Sequence, residues 1–253
     1  MITSDSDRTR LEQALALRDL SDPEQGPHAI QDIVYLAHET LAKHWGCRRQ
    51  LHRESVLTTR PSTNNARTLS LRQRAAASAL ALLRSLSLDP PEDVLLVLPG
   101  LVVRNPKRPS PQAAHQLALV RLVERELGGI ELAEMVQKTI KSVLPKQPYR
   151  LLPIADDDTL NSMQIDARDG RNWMPIGRCG RIKPASLHNC GINPNTHSAL
   201  LLELELDDIV ALRKSLPDIA LLRSENADVA QQMLNLEPYE AIGEEARKTA
   251  QVS

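Results

Sequence analysis

The chain has 253 residues, with 31 Lys and Arg against 32 Asp and Glu, a formal net charge of −1. That length is ample for a buried core in one large domain or two small ones, and the balanced charge excludes a strongly basic, dedicated nucleic-acid binder. With no Phe, two Trp and three Tyr, the core must be aliphatic, and stacking platforms for single-stranded bases are essentially missing.

The cysteines Cys47, Cys179 and Cys190 are odd in number and form no CxxC, which reads as a reducing compartment without a disulfide framework. The first ten residues are polar and charged, and no segment approaches 18 consecutive apolar residues. Neither a signal peptide nor a membrane-spanning helix is expected, and the cytoplasm is the expected location. Basic residues cluster at Arg48, Arg49 and Arg53, and again at Arg104, Lys107 and Arg108. They read as solvated surface, because affinity for RNA needs many phosphate contacts together.

In chain order, residues 1–10 read as a disordered lead and residues 11–20 as a short amphipathic helix. A Pro- and Gly-punctuated loop follows. Pro27 then suits the first turn of a strong helix, in which Ile30, Ile33, Val34, Ala37, Leu41 and Trp45 recur at helical spacing and which Gly46 stops. Residues 48–57 read as a strand, 58–65 as a polar loop and 70–86 as an Ala- and Leu-rich helix. The apolar run 94–98 predicts a buried strand. Pro99-Gly100 is expected to bend the chain, with 101–104 extended beyond it. Residues 105–111 form a loop, 115–124 a strand and 130–144 a helix. Strands are expected at 149–154 and 162–167, with a hairpin at Asp169-Gly170 that returns through residues 173–177. A short helix over 184–190, a strand over 200–206, a helix over 208–214 and a last helix over 227–234 complete the reading. Two helices followed by hairpin-connected strands argue an α+β fold around an antiparallel sheet.

Four stretches resemble one family. They are residues 18–29 (Arg-Asp-Leu-Ser-Asp-Pro-Glu-Gln-Gly-Pro-His-Ala); Leu98-Pro99-Gly100-Leu101-Val102-Val103-Arg104-Asn105 with His115-Gln116; Trp173 with Gly177-Arg178-Cys179-Gly180; and residues 200–224, which include Ala211-Leu212-Arg213-Lys214-Ser215-Leu216-Pro217-Asp218-Ile219. In this order they resemble the catalytic core of class II aminoacyl-tRNA synthetases, specifically phenylalanyl-tRNA synthetase alpha chains and their small stand-alone bacterial relatives. The resemblance implies an antiparallel sheet with flanking helices that binds ATP and an amino acid on one face, and usually dimerises. It places a synthetase-like core over residues 11–240, with 241–253 a flexible tail.

Amino-acid activation concentrates negative charge on the α-phosphate of ATP, so the site needs fixed cations. The resemblance implies that Arg104 holds the position of the family's second-motif Arg, with His115 and Gln116 opening the return strand. The family's third motif reads Gly-Leu-Gly-Leu-Glu/Asp-Arg, and here the positions hold Glu203-Leu204-Glu205-Leu206-Asp207-Asp208. Both glycines are glutamates and the arginine is Asp208. By strand alternation, Leu202, Leu204 and Leu206 are expected on one side and Glu203, Glu205 and Asp207 on the other, as a carboxylate floor where a nucleotide would lie. Each like-charge pair at about 4 Å would oppose a triphosphate by ~1 to 4 kcal/mol, against the ~8 kcal/mol of micromolar affinity. Other positions differ as well. The family's Thr-His-Thr-Ser stretch is Thr68-Leu69-Ser70-Leu71 here, the acidic residue after His-Gln is Ala118, and the Glu before Cys-Gly is Arg178.

These departures predict a vestigial ligand pocket formed by Arg104, His115, Gln116, Arg178, Glu203, Glu205, Asp207 and Asp208, with no catalytic residue and no cofactor. The carboxylates either form a solvated strand face, pair with Arg104 and Arg178 or a basic partner, or hold a hard cation. Cys179, His188 and Cys190 lack the spacing of zinc ligands, and His115 reads as a packed or capping histidine. The expected function is that of a degenerate, non-catalytic partner or regulatory subunit, as a homodimer or as a heterodimer with a synthetase-like or pathway protein. The alternative is a repurposed amino-acid-activating ligase that uses ATP and magnesium; a true aminoacyl-tRNA ligase is a third class. No appended tRNA-gripping module is expected, so whole-tRNA recognition would need a partner.

Overall fold

The computed structural model of the chain describes residues 12, 16–61, 67–104 and 112–242. The expected lead over 1–10, the loop over 105–111 and nearly all of the tail lie outside the described residues. A seven-stranded sheet runs β1(Arg48–Leu51), β4(Asp93–Arg104), β5(Gln112–Val123), β9(Ser198–Glu205), β8(Asn172–Ile182), β7(Thr159–Asp169) and β6(Tyr149–Pro153) from edge to edge. All neighbours are antiparallel except β1, which runs parallel to β4. β2(Leu57–Pro61) and β3(Arg67–Leu71) form a separate ribbon. The result is an α+β fold with helices on both faces, consistent with the synthetase-like expectation.

One face carries α1(Ala29–Trp45), α3(Gly129–Val143) and α5(Leu206–Lys214). Their apolar stripes close over Leu95, Val97, Leu117, Leu119, Leu202 and Leu204. The other face carries α2(Ala75–Ser85) and α4(Pro184–Asn189), which pack on Val94, Leu96, Leu98, Val120 and Leu201. The central strands are therefore buried on both sides, which is why β4, β5 and β9 read as near-continuous apolar runs rather than alternating ones. α6(Ala227–Gln232) is the last helix among the described residues.

Helix α1 follows its sequence signals closely. Ile30, Ile33, Val34, Ala37 and Leu41 are buried, and Gly46 stops the helix in the left-handed region with φ of 65°. It starts at Ala29 rather than at Pro27, because His28 is the N-cap: its Nδ1 accepts from the Ile30 N–H at 3.1 Å while Nε2 meets the Leu222 carbonyl at 3.1 Å. Burial pushes the His28 ring down to about 4. The unfolded ring protonates near 6.5 and the folded one only near 4, so its contribution is complete above pH 6.5 and is lost as pH falls from 6.5 to 4. His38, lowered to about 4 by burial and the nearby Arg49, acts in the same sense. Urea unfolding should therefore show a loss of about 2 kcal/mol from His28 alone between pH 7 and pH 4.5. The loss should shrink clearly in His28→Asn, which keeps a capping oxygen but does not titrate.

Several boundaries differ from the sequence reading. The expected strand over 48–57 is broken after β1, with Leu57 opening β2; residues 58–61 of the expected polar loop belong to β2, and 62–65 lie outside the described residues. The helix expected from residue 70 begins at Ala75, since residues 67–71 are drawn into pairing with β2. Pro99-Gly100 does not bend the chain, and β4 runs through it in unbroken register with β5. Backbone groups of alternate β4 residues point away from β5, as shown by the His52 N–H on the Val97 carbonyl and the Val103 N–H on the Arg72 carbonyl. Pro99 shares that parity and sits just past the end of β1, where no strand needs its missing donor. Gly100, with φ of 148°, has the Arg72 guanidinium against its Cα, so a side chain there would meet Arg72.

Candidate functional site

Three polar residues stand side by side on the α2 face at one end of the sheet. Gln116 of β5 pairs with Glu205 of β9, and Glu203 of β9 lies between Ala118 of β5 and Arg178 of β8. Helix α2 points its N-terminus at them. Its first N–H groups have no helical partner and must be satisfied from elsewhere. The floor supplies them: Gln116 Oε1 accepts from Ala75 N at 2.9 Å, and Glu203 Oε1 accepts from Ala76 N at 2.9 Å. Glu203 is only 1% exposed. Its other oxygen accepts from Arg74 Nε and Nη2, both at 3.2 Å, and lies 3.0 Å from Arg178 Nε. A buried carboxylate requires such pairing, and Glu203 has two guanidiniums and a helix N-terminus around it.

A second ionic group adjoins the first. Arg104, at the end of β4, donates to Glu205 and, at 3.1 Å, to Asp208 in the first turn of α5. Gln116 Nε2 donates to Glu205 Oε1 at 2.8 Å, which links the two groups. Asp156, between β6 and β7, accepts from Arg74 Nη1 at 3.4 Å and lies 4.0 Å from Arg178 Nη1. Three guanidiniums (Arg74, Arg104, Arg178) thus face four carboxylates (Asp156, Glu203, Glu205, Asp208). Burial works against the Asp156 charge, but the Asp158 N–H and Arg74 outweigh it and hold the carboxyl below its usual range. For Asp208 burial wins over Arg104 and raises the carboxyl above that range. Burial alone would lower the Arg104 guanidinium, yet Glu205 and Asp208 raise it above its ordinary value.

Asp207 departs from the expected floor. β9 ends at Glu205 and α5 starts at Leu206, so the two-residue alternation gives way to the helical turn before Asp207 is reached. Its side chain goes to the opposite face, where it receives the His115 backbone N–H at 3.0 Å and His115 Nδ1 at 2.6 Å. The Leu20 N–H donates to His115 Nε2 at 3.0 Å, with Arg223 Nη2 at 3.3 Å. A backbone N–H only donates, so Nε2 is the acceptor and Nδ1 carries the proton given to Asp207. His115 is fully buried; it ties the Leu20 loop to the sheet and has no open nitrogen for proton transfer. Burial opposes the Asp207 charge, but the His115 bonds prevail and hold the carboxyl below the carboxylate range.

Of the sequence-predicted residues, Arg104, Gln116, Arg178, Glu203, Glu205 and Asp208 gather on one face, while His115 and Asp207 lie behind the sheet. Sequence reasoning missed Arg74 and Asp156. Arg74 carried one usable signal, a lone cation directly before an Ala-rich helix; Asp156, in the run Asp156-Asp157-Asp158, carried none. Cys179 and Cys190 pack in the cores of opposite sheet faces and do not meet. An open cleft of about 460 Å³ remains beside the ionic groups, with Arg104, Gln164, Met174, Gly177, Arg178 and Asp208 in its wall. Among the described residues no helix is long and apolar enough to cross a membrane.

No family model matches the chain. Phenylalanine–tRNA ligase alpha subunits do. The Actinobacillus pleuropneumoniae serotype 5b protein is 25% identical over 136 residues, 53% of this chain and 40% of its own length. The Flavobacterium johnsoniae protein is 25% identical over 139 residues, 49% of this chain and 41% of its own. A Clostridium perfringens protein reaches 38% over a shorter stretch of 53 residues, 21% of this chain and 16% of its own length. The matched stretch spans about two fifths or less of these relatives. Over about half its length, the chain is distantly similar to phenylalanine–tRNA ligase alpha subunits.

Proposed function

We propose that the chain is a synthetase-like protein whose sheet face no longer takes a nucleotide, and that it works as a non-catalytic partner or regulatory subunit in the cytoplasm. The observation that carries this reading is the closed ionic floor. The guanidiniums available to a phosphate are already matched by Glu203, Glu205, Asp156 and Asp208. A triphosphate entering the cleft would have to displace these carboxylates and then lie beside them, with like charges opposing it. The residues present therefore fit ATP and magnesium poorly, and no reaction step is assigned to them. Similarity to proteins named as alpha subunits supports assembly with a second chain, either another copy or a synthetase-like or pathway protein.

A second reading rests on the open cleft of about 460 Å³ and on Arg104, whose side chain stays 35% exposed. An amino-acid-activating ligase with rearranged contacts could use both. ATP–pyrophosphate exchange with a panel of amino acids separates the two. No exchange above background, together with no calorimetric signal for magnesium–ATP, is expected. Robust exchange with any amino acid, or a micromolar heat of nucleotide binding lost in Arg104→Ala, would reassign the protein as a ligase.

A further inference from the structure

The sheet carries a second polar cavity at its other end. Between Gln116 and Val123 β5 advances seven residues, about 23 Å at the usual rise. Beyond Val123 a cavity of about 280 Å³ opens between the end of β8, the start of β9 and the loop after β5. Arg125, Arg181 and His197 stand in its wall, together with Thr196 and Ser198.

The hydrogen bonds of this wall do not close. The Arg181 Nε–H is buried and has no partner among the described residues, and a guanidinium N–H can only donate. His197 is 8% exposed, and its Nε2 is likewise buried without a partner among the described residues. Its Nδ1 is already engaged with Thr196 Oγ1 at 2.9 Å, while Thr196 Oγ1 also meets the Asn193 carbonyl at 3.2 Å. Buried polar atoms left this way are uncommon. Each arginine of the wall has one acid beside it, and the two are held differently. Glu131 at 3.1 Å serves Arg125, but the carboxylate near Arg181 is that of Glu126, 3.5 Å away on a side chain 88% exposed.

We propose that this cavity is a binding site for a small oxyanion, a carboxylate or phosphate group. The Arg181 Nε–H donates to it, and His197 Nε2 makes the second polar contact. An acceptor with several lone pairs satisfies the orphaned Arg181 donor, which a neutral amine or an apolar ligand does not. The site lies across the sheet from the Arg104 cleft and does not depend on the state of that cleft.

The test titrates the full chain with inorganic phosphate and, separately, with sodium acetate. The Arg Nε–H and His ring signals are followed by ¹H–¹⁵N NMR at constant ionic strength. The Arg181 Nε–H signal and the His197 ring signals should move saturably, and the tighter of the two anions names the ligand group. His197→Gln and Arg181→Gln should each weaken that binding by about tenfold, the loss of one charge-assisted contact, while the remaining spectrum shows the variants folded. Shifts that stay linear to the highest concentration, or affinities unchanged in both variants, would overturn the assignment.

Discussion

Glu203→Ala should lower the unfolding free energy by about 3 kcal/mol, read as a reduced urea midpoint at unchanged slope. The substitution removes the acceptor for the Ala76 N–H and the shared anion of Arg74 and Arg178 in one step. Losing a helix cap alone accounts for about 1 kcal/mol. The rest comes from two guanidiniums that lose a buried counter-charge. Both are about one-third exposed, so they can turn toward water, which keeps the loss near the low end for broken buried pairs. Glu203→Gln retains an oxygen for Ala76 and drops only the charge, so its effect should be about half as large. If Ala and Gln variants were equally mild, the carboxylate would be a solvated surface group, and the closed floor on which the non-catalytic reading stands would dissolve.

The same comparison shows what could be read from the chain itself. Helix α1 and the hairpin at Gly170 rest on local signals, an apolar stripe with a glycine stop and an Asp-Gly turn, and both appear where expected. The pairing of new glutamates with Arg104 and Arg178 was one of the open readings, suggested by complementary sign. Its register follows because β9 pairs without a break with β5 and with residues 177–181 of β8. The contribution of Arg74 was not legible, since it depends on where α2 begins. That boundary is set by the β2–β3 ribbon rather than by the Ala and Leu content of residues 70–86. Pro99-Gly100 misled for a related reason. A proline breaks a strand only where a neighbouring strand wants its N–H, and β1 ends two residues too early for that to matter. The Asp207 side was misassigned because strand alternation was carried past the last strand residue.

Asp207→Ala should cost about 3 kcal/mol and act first on the Leu20 loop rather than on the cleft. Two donors of a fully buried histidine, the His115 N–H and Nδ1–H, lose the acceptor they share, and each stranded donor costs about 1–3 kcal/mol. Asp207→Asn offers no full rescue. The two donors reach different oxygens, Oδ2 and Oδ1, so with the amide oxygen at either place the amide nitrogen meets the other donor. His115 cannot adapt by moving its proton to Nε2, because Nε2 must accept from Leu20. The Asn variant should therefore fall between wild type and Ala. The folded Asp207 carboxyl titrates below its ordinary value. Its contribution is then fully present above the unfolded value near 3.8 and is lost only as pH falls below it, so both variants show their full effect at pH 7. Hydrogen exchange supplies the discriminating readout: the Leu20 amide should lose protection in both variants before the β5 amides do. The neighbouring Asp208 gives the consequence for the cleft. The first turn of α5 sends Asp207 to His115 on one face and Asp208 to Arg104 on the other. That helix is anchored across the sheet by two successive aspartates, and releasing the inner one should loosen the Arg104 pairing as well, lowering its helix-terminal protection without opening a nucleotide site.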